Sequence, residues 1–360
     1  MKTTRKVLVM EKKADGNKGS RLRLTYSYAE VLIRKVFNCL ETSKGIIVKS
    51  LICSILVTSC CKDITNKKFR KTYTNCEDYT GKYCANVTDL HFNTTFKANF
   101  SITKEKNICK CRTDALPNHN FNDKDEPFKE RVGEQDKIFY LDINPKVASK
   151  KTNLSLQYFD GILLNGALID MLAAACCGYG DEIIGCGDDV PEAEWRKDPV
   201  YRDNNFKVDE YNAHGQPQQP PSPGAPAIYH YHKMPESLYD NLDAIKAKKI
   251  ELPIVLGFAA DGFPIFGPYF KDDKGIIRKA ISSYQIKMGK RPRSSCPASS
   301  HEEYNYDGRY INDYRYIPNS GDLDECNGME VNGQYGYFVT DDYPYIMKCF
   351  RGTPNESFKK

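Results

Sequence analysis

The sequence has a single tryptophan, six histidines and no uninterrupted apolar run of the ~20 residues that a membrane-spanning helix takes. That excludes a multispanning membrane protein. Glycine (24) and proline (19) stand at ordinary levels, which excludes a collagen and argues against wholesale disorder. Common signatures of nucleotide and hydrolase chemistry are missing too. There is no Gly-x-Ser-x-Gly elbow, no phosphate loop and no Gly-x-Gly-x-x-Gly after a strand, and His301-Glu302 lacks the second histidine of a zincin helix. No Cys-x-x-Cys pair marks a zinc ribbon, and no internal repeat of 20 to 50 residues is found. What is present is a chain of 360 residues, 40% hydrophobic and 28% charged, with material for one large domain or two ordinary ones.

Charge is unevenly placed. Residues 1–62 carry 13 Lys+Arg against 4 Asp+Glu, so the overall +5 leaves the remainder acidic by four. Without a basic stripe interleaved with aromatics, the sequence gives no reason to expect a nucleic-acid partner. Residues 1–62 read as a basic leader containing a signal-like hydrophobic segment at 45–61, where Ile46-Ile47-Val48 and Leu51 to Val57 flank Lys49. The segment is short for a span but suits a signal peptide, with basic residues ahead of it. Its depth in the chain admits an extension upstream of the true start, a signal anchor or a buried strand; the first is the working expectation, with no membrane contact after signal removal.

Cysteines agree with export. Of 14, four (Cys39, Cys53, Cys60, Cys61) lie in or before the apolar run, leaving Cys76, Cys84, Cys109, Cys111, Cys176, Cys177, Cys186, Cys296, Cys326 and Cys349. Ten is even and compatible with up to five disulfides, which form on the oxidising secretory route. Glycosylation sequons begin at Asn86, Asn93, Asn99, Asn153 and Asn355. The expectation is a secreted, disulfide-stabilised glycoprotein whose partner is an extracellular ligand or small molecule.

Residues 63–137 are polar and form a small cysteine-containing variable region, in which Cys109 and Cys111 share one face of a strand. From 138 to 358 short apolar runs alternate with turns. Leu154, Leu156 and Tyr158 alternate as in a strand, and Asp160-Gly161, Asn165-Gly166, Asp261-Gly262, Asp307-Gly308, Asn327-Gly328 and Asn332-Gly333 are turn dipeptides. The fold class is mainly β, a β-rich α+β arrangement of short antiparallel strands and hairpins, loop-rich, with one or two short helices. One helix opens at Pro235 and Glu236 and carries Leu238, Leu242 and Ile245; a second covers Ala167–Cys177. A Pro/Gln-rich insertion occupies 215–227 and is extended.

Three of the six histidines flank that insertion. His230 and His232, in Tyr229-His230-Tyr231-His232, point to one side of a strand while Tyr229 and Tyr231 face the other. With His214 they make a three-histidine set that suits zinc or copper and keeps an open position for water or substrate. Asp209 and Glu210 are candidate acceptors for the rings. The plainer alternative is a polar face whose imidazoles are satisfied by backbone carbonyls.

Other clusters are weaker. Gly321 to Gly328 gathers Asp322, Asp324, Glu325 and Asn327, but the EF-hand spacing is absent, so a hydrogen-bonded turn is expected before a calcium loop. In a catalytic site Asp324 or Glu325 would serve as general base. Asp261 belongs to a strand–turn–strand element that can wall a pocket with Tyr229, Tyr231 and the 321–328 loop. Tyr304, Tyr306, Tyr310, Tyr314 and Tyr316 form either a stacking surface or edge-strand packing.

The chain resembles the YHYH-domain family, named for the tetrapeptide at 229–232. Further landmarks are Gly161 to Gly166, Trp195 with Asp198-Pro199, Asn212-Ala213-His214-Gly215-Gln216-Pro217, Pro235, Leu256 to Pro268, Gly321 to Gly328, Tyr343-Pro344-Tyr345 and Cys349 to Thr353. They cover roughly 150–355, and the connection between Gln216 and Tyr229 is longer than the family's usual one. The resemblance implies an exported domain without an assigned reaction. Two functions follow from the residues: a histidine-based transition-metal site, which as an enzyme would serve metal-assisted hydrolysis or copper oxidation, or an extracellular binding or matrix protein whose histidines are structural.

Overall fold

The computed structural model describes residues 74–124, 127–176, 195–204, 206–218, 224–239, 241–291 and 305–360. The basic leader, the centre of the Pro/Gln-rich insertion, Cys177, Cys186, Cys296, His301-Glu302 and Tyr304 lie outside the described residues. All described residues belong to one compact unit, Cys60–Lys360, and the class is as expected: mostly strands, loop-rich, with one short α-helix. Among them no helix is long and apolar enough to cross a membrane.

Strands β1 (Gly81–Asp89), β2 (Thr94–Glu105), β3 (Ile108–Thr113) and β4 (Lys137–Asp142) form an antiparallel meander in sequential order. Alternation in β3 buries Cys109, Cys111 and Thr113. Cys109 is bridged to Cys76, Cys326 to Cys349, and Cys84 and Cys176 are also disulfide-bonded. Cys111 is a buried free thiol, so the ten cysteines of the body do not make five bridges among themselves.

The remaining strands are β5 (Thr152–Asn153), β6 (Gly161–Leu163), β7 (Leu168–Ile169), β8 (Ala213–Gln216), β9 (Ile228–Tyr231), β10 (Val255–Ala259), β11 (Pro264–Phe266), β12 (Tyr269–Lys271), β13 (Ile277–Lys279), β14 (Tyr284–Ile286), β15 (Tyr314–Tyr316), β16 (Gly328–Val331), β17 (Gln334–Phe338) and β18 (Cys349–Phe350). Eight of them make a mixed sheet in the order β16-β17-β11-β10-β6-β7-β9-β8, while β12-β13, β14-β15 and β18-β5 are two-stranded. Asp261-Gly262 turns β10 into β11, and Asn332-Gly333, both residues at positive φ, turns β16 into β17. Asp160-Gly161 is no turn. Gly161 opens β6, where a Cβ would stand 2.7 Å from the Phe258 carbonyl oxygen of β10.

Three expectations are corrected. Residues 167–176 are not helical: Leu168 and Ile169, both fully buried, pair as β7 between β6 and β9. A short apolar run buried on both faces has no periodicity to separate strand from helix. Leu154 to Tyr158 is a turn, because Ser155 accepts the Gln157 and Tyr158 N–H groups and ends the strand at Asn153. The helix expected from Pro235 divides into a 3-10 turn, Glu236–Leu238, and helix α1 (Leu242–Lys248), whose true N-cap is Asn241 accepting from the Ala244 N–H at 2.9 Å.

One hydrophobic core runs from Cys76 to Phe358 and includes residues of both large sheets. The Thr113 hydroxyl donates to the Gly166 carbonyl at 2.6 Å, fixing the meander to the β6–β7 turn. Tyrosines 310, 314 and 316 serve packing: Tyr310 is buried against Trp195, Tyr314 stacks on Tyr343 at 4.1 Å, and Tyr316 lies against Tyr284.

Candidate metal centre

Strands β8 and β9 pair antiparallel with His214 directly opposite His230, which puts both rings on one face. His232 follows two residues later on that same face, and its N–H donates to the Asn212 carbonyl, extending the pairing beyond β9. On its other edge β9 pairs with β7, Leu168 opposite His230, so the site-bearing strand is interior to the sheet and buried at all four positions. The Pro/Gln-rich connection does not carry His214 away; strand pairing holds it.

The three rings converge. His214 Nε2 stands 3.1 Å from His230 Nε2 and 3.1 Å from His232 Nε2, and the ring centroids are 4.6, 5.0 and 4.8 Å apart. Ligand nitrogens of a tetrahedral zinc site with Zn–N of ~2.0–2.1 Å stand ~3.3 Å apart. The cluster therefore needs only slight expansion around an ion.

Protonation agrees with that geometry. His230 Nδ1 lies 3.3 Å from the Ile228 carbonyl, which can only accept. The proton therefore sits on Nδ1, and the neutral ring turns a bare lone pair on Nε2 toward the cluster. His232 Nδ1 is buried without a well-formed hydrogen bond, the main chain of Asp170 being the backbone influence on it. Desolvation pushes His214 down to about 4. It also takes His230 and His232 well below the ordinary histidine value, helped by repulsion from the neighbouring rings. At neutral pH all three are uncharged, the state a metal requires. His214 Nε2 faces the Nε2 atoms of both neighbours and shares one proton with only one of them at a time, whereas a cation takes a lone pair from all three.

Behind the histidines, on the opposite face of β9, Tyr229 and Tyr231 are fully buried. They back the cluster. Tyr229 donates to Asp209 Oδ2 at 2.7 Å, and the Tyr231 hydroxyl meets His119 Nε2 at 2.5 Å and accepts from Asn165 Nδ2 at 3.1 Å. His119 Nδ1 is 2.7 Å from the Asn120 carbonyl and its ring stacks on Tyr211 at 3.5 Å. By the same carbonyl argument, His119 Nε2 accepts from Tyr231. Sequence reading missed His119, a lone histidine in a polar stretch that carries no motif.

Asp209 is a correction: its oxygens serve Tyr229 and the N–H groups of Tyr211 and Ala213, not an imidazole, and Glu210 is exposed. Sequence proximity put Asp209 near the histidines, but the turn at 209–212 that leads into β8, closed by the Asn212 N–H to Asp209 carbonyl bond, directs it to the tyrosine face. Asp261 is buried and accepts from the Tyr337 hydroxyl at 2.6 Å and the Gly352 N–H at 2.9 Å, joining the β10–β11 hairpin to the segment after β18. Asp324 Oδ1 accepts the N–H groups of Cys326 and Gly328 and the Tyr335 hydroxyl, a tightly bonded turn. Glu325 pairs with Lys151. None of these hydrogen bonds or ion pairs reaches a histidine. Among the described residues, His214, His230 and His232 are the one group of three metal-ligating side chains found together.

A mixed sheet whose paired strands bring three imidazoles close enough to hold one metal ion defines a tri-histidine cluster. The family model described as YHYH protein matches residues 138–352, and the chain belongs to that family. His119 and β1 to β3 lie outside the matched span. No curated protein and no solved structure matches the chain.

Proposed function

We propose that this YHYH protein holds one transition-metal ion, zinc or copper, on His214, His230 and His232, with a coordination position left open for water or substrate. The observation that supports the reading is the convergence of three neutral ring nitrogens, with two Nε2 contacts of 3.1 Å, in a cluster where His230 and His232 are buried and His214 half-buried. An all-nitrogen set with no thiolate or carboxylate suits both metals. Bound zinc would supply a water ionising near pH ~7 for hydrolysis, and bound copper would supply redox chemistry. Tyr229 and Tyr231, anchored to Asp209 and His119, hold the strand that carries two of the ligands.

We also infer that the protein is exported. Disulfide-bonded cysteines support this, as do the exposed positions of Asn86, Asn93, Asn99 and Asn153 at the head of glycosylation sequons.

Elemental analysis of the purified full-length chain tests the metal centre. The expected result is close to one zinc or copper per chain, lost in both His230→Ala and His214→Ala. Protein that is metal-free and takes up neither ion on titration refutes it.

A further inference from the structure

An imidazole ligand brings no charge to the ion it holds. Among the described residues no carboxylate or thiolate stands with His214, His230 and His232 to supply any. The charged groups beside the cluster come one of each sign. Asp170, whose main chain acts on His232, is paired with Lys360, their side chains being 2% and 8% exposed, and Asp198 and Lys348 both line the small cavity at His232. Of these groups, the Lys360 ammonium acts on both His230 and His232, against added positive charge.

An ion on the three nitrogens therefore keeps its full charge, in a place largely shut off from solvent, since His230 and His232 are 1% and 2% exposed. Burying charge is costly, and the cost grows as the square of the charge. On neutral donors a divalent ion meets roughly four times the penalty of a monovalent one. Coordination preferences point the same way. Zinc is almost always four-coordinate, and the cluster supplies three nitrogens. Met171 and Met347 line the same cavity as His232, and thioether sulfur is among the soft donors that select Cu(I).

We propose that the tri-histidine cluster is a cuprous site, binding Cu(I) in preference to Cu(II) and Zn(II). This rests on the metal reading above and narrows it to one ion in one oxidation state. By linkage, a hundredfold preference for Cu(I) over Cu(II) raises the potential of the bound couple by about 120 mV, at ~59 mV per tenfold for one electron. Copper held here is then a stronger oxidant than aqueous copper.

Competition titrations of the full chain test it, with Cu(I) kept reduced by ascorbate under anaerobic conditions and buffered by a cuprous chelator, and Cu(II) and Zn(II) buffered by chelators of their own. The expected result is a Kd for Cu(I) at least a hundredfold below those for Cu(II) and Zn(II), with Cu(I) binding lost in His230→Ala. His214→Glu, which puts one anion into the donor set, is expected to narrow the ratio of Cu(I) to Cu(II) affinity at least tenfold. A smaller wild-type preference over either divalent ion overturns the proposal, as does a His214→Glu protein that binds copper with the wild-type ratio; the wild-type comparison needs no variant to fold. Copper or zinc held on the histidines without the cuprous preference sinks this inference and spares the metal centre. Failure to bind any of the three ions sinks both.

Discussion

His214 and His230 face each other across the β8–β9 pair, Nε2 to Nε2 at 3.1 Å, and no local feature of either segment produces that contact. It comes from register. A slip of one residue between the strands would send His214 to the tyrosine face, where His119 and Asp209 already occupy the space behind Tyr231 and Tyr229. Burial of β9 on both faces is what fixes the register. The histidine cluster and the tyrosine network are thus two consequences of one strand alignment.

Metal binding at a preformed cluster stabilises the folded chain by mass action, about 2.7 kcal/mol when free metal exceeds Kd a hundredfold. The expected outcome is a melting temperature higher by several degrees in zinc or copper than in chelator. In His230→Ala the difference disappears. Differential scanning calorimetry with and without chelator checks this, and equal transitions for wild type under both conditions count against a bound ion.

His119 gives a pH-dependent prediction with a definite sign. Burial pushes its pKa down to about 4 from the ordinary 6.5, so the unfolded chain takes up a proton first as pH falls. The stability it contributes is fully present above pH 6.5 and is lost as pH falls toward 4. Replacing it by glutamine removes that term as well as the hydrogen bond to Tyr231. The stability deficit of His119→Gln relative to wild type is therefore largest near pH 7 and shrinks toward pH 4. Chemical denaturation at intervals between these limits measures it, and a deficit that grows on acidification contradicts the assignment.

The part of the site that was legible in the sequence is the part governed by period two. His230 and His232 share a face because alternate strand residues do, and Tyr229 and Tyr231 take the other face for the same reason. His214 was legible as a candidate by its nearness, but its place depends on a pairing that spans the Pro/Gln-rich connection. His119, 112 positions before Tyr231, was illegible because only the packing of the meander brings it there. Asp209 was misassigned since nearness along the chain says nothing of which face a side chain joins. Turn dipeptides located the hairpins at 261–262 and 332–333, whereas β7 was read as helix because two fully buried faces erase the pattern that tells strand from helix.

Gly257 of β10 tests the close crossing with β6. A Cβ there would stand 2.5 Å from the Ile162 carbonyl oxygen and 2.8 Å from the Leu163 Cα, both backbone atoms that cannot rotate aside. Gly257→Ala is expected to lower stability by ~1–3 kcal/mol, the range for overpacking a tight interior. Because β10 reaches β9 through β6 and β7, the variant also loosens the histidine cluster. Equilibrium unfolding together with metal content checks both effects, and an unperturbed Gly257→Ala protein would show the crossing to be wider than described.

Cys111 and Cys109 lie two residues apart on the buried face of β3, yet only Cys109 is bridged. Burial pushes the Cys111 thiol up to about 12, so at pH 8 almost none of it is thiolate, the species that alkylating reagents attack. In the native protein Cys111 should stay unlabelled by iodoacetamide over hours. In denaturant without reductant it should label fully, while Cys76 and Cys109 remain protected by their bridge. Peptide mapping reads the sites separately. Rapid native labelling at Cys111 would mean that the meander opens locally, and labelling of Cys109 under non-reducing denaturation would mean that the bridge to Cys76 is not formed.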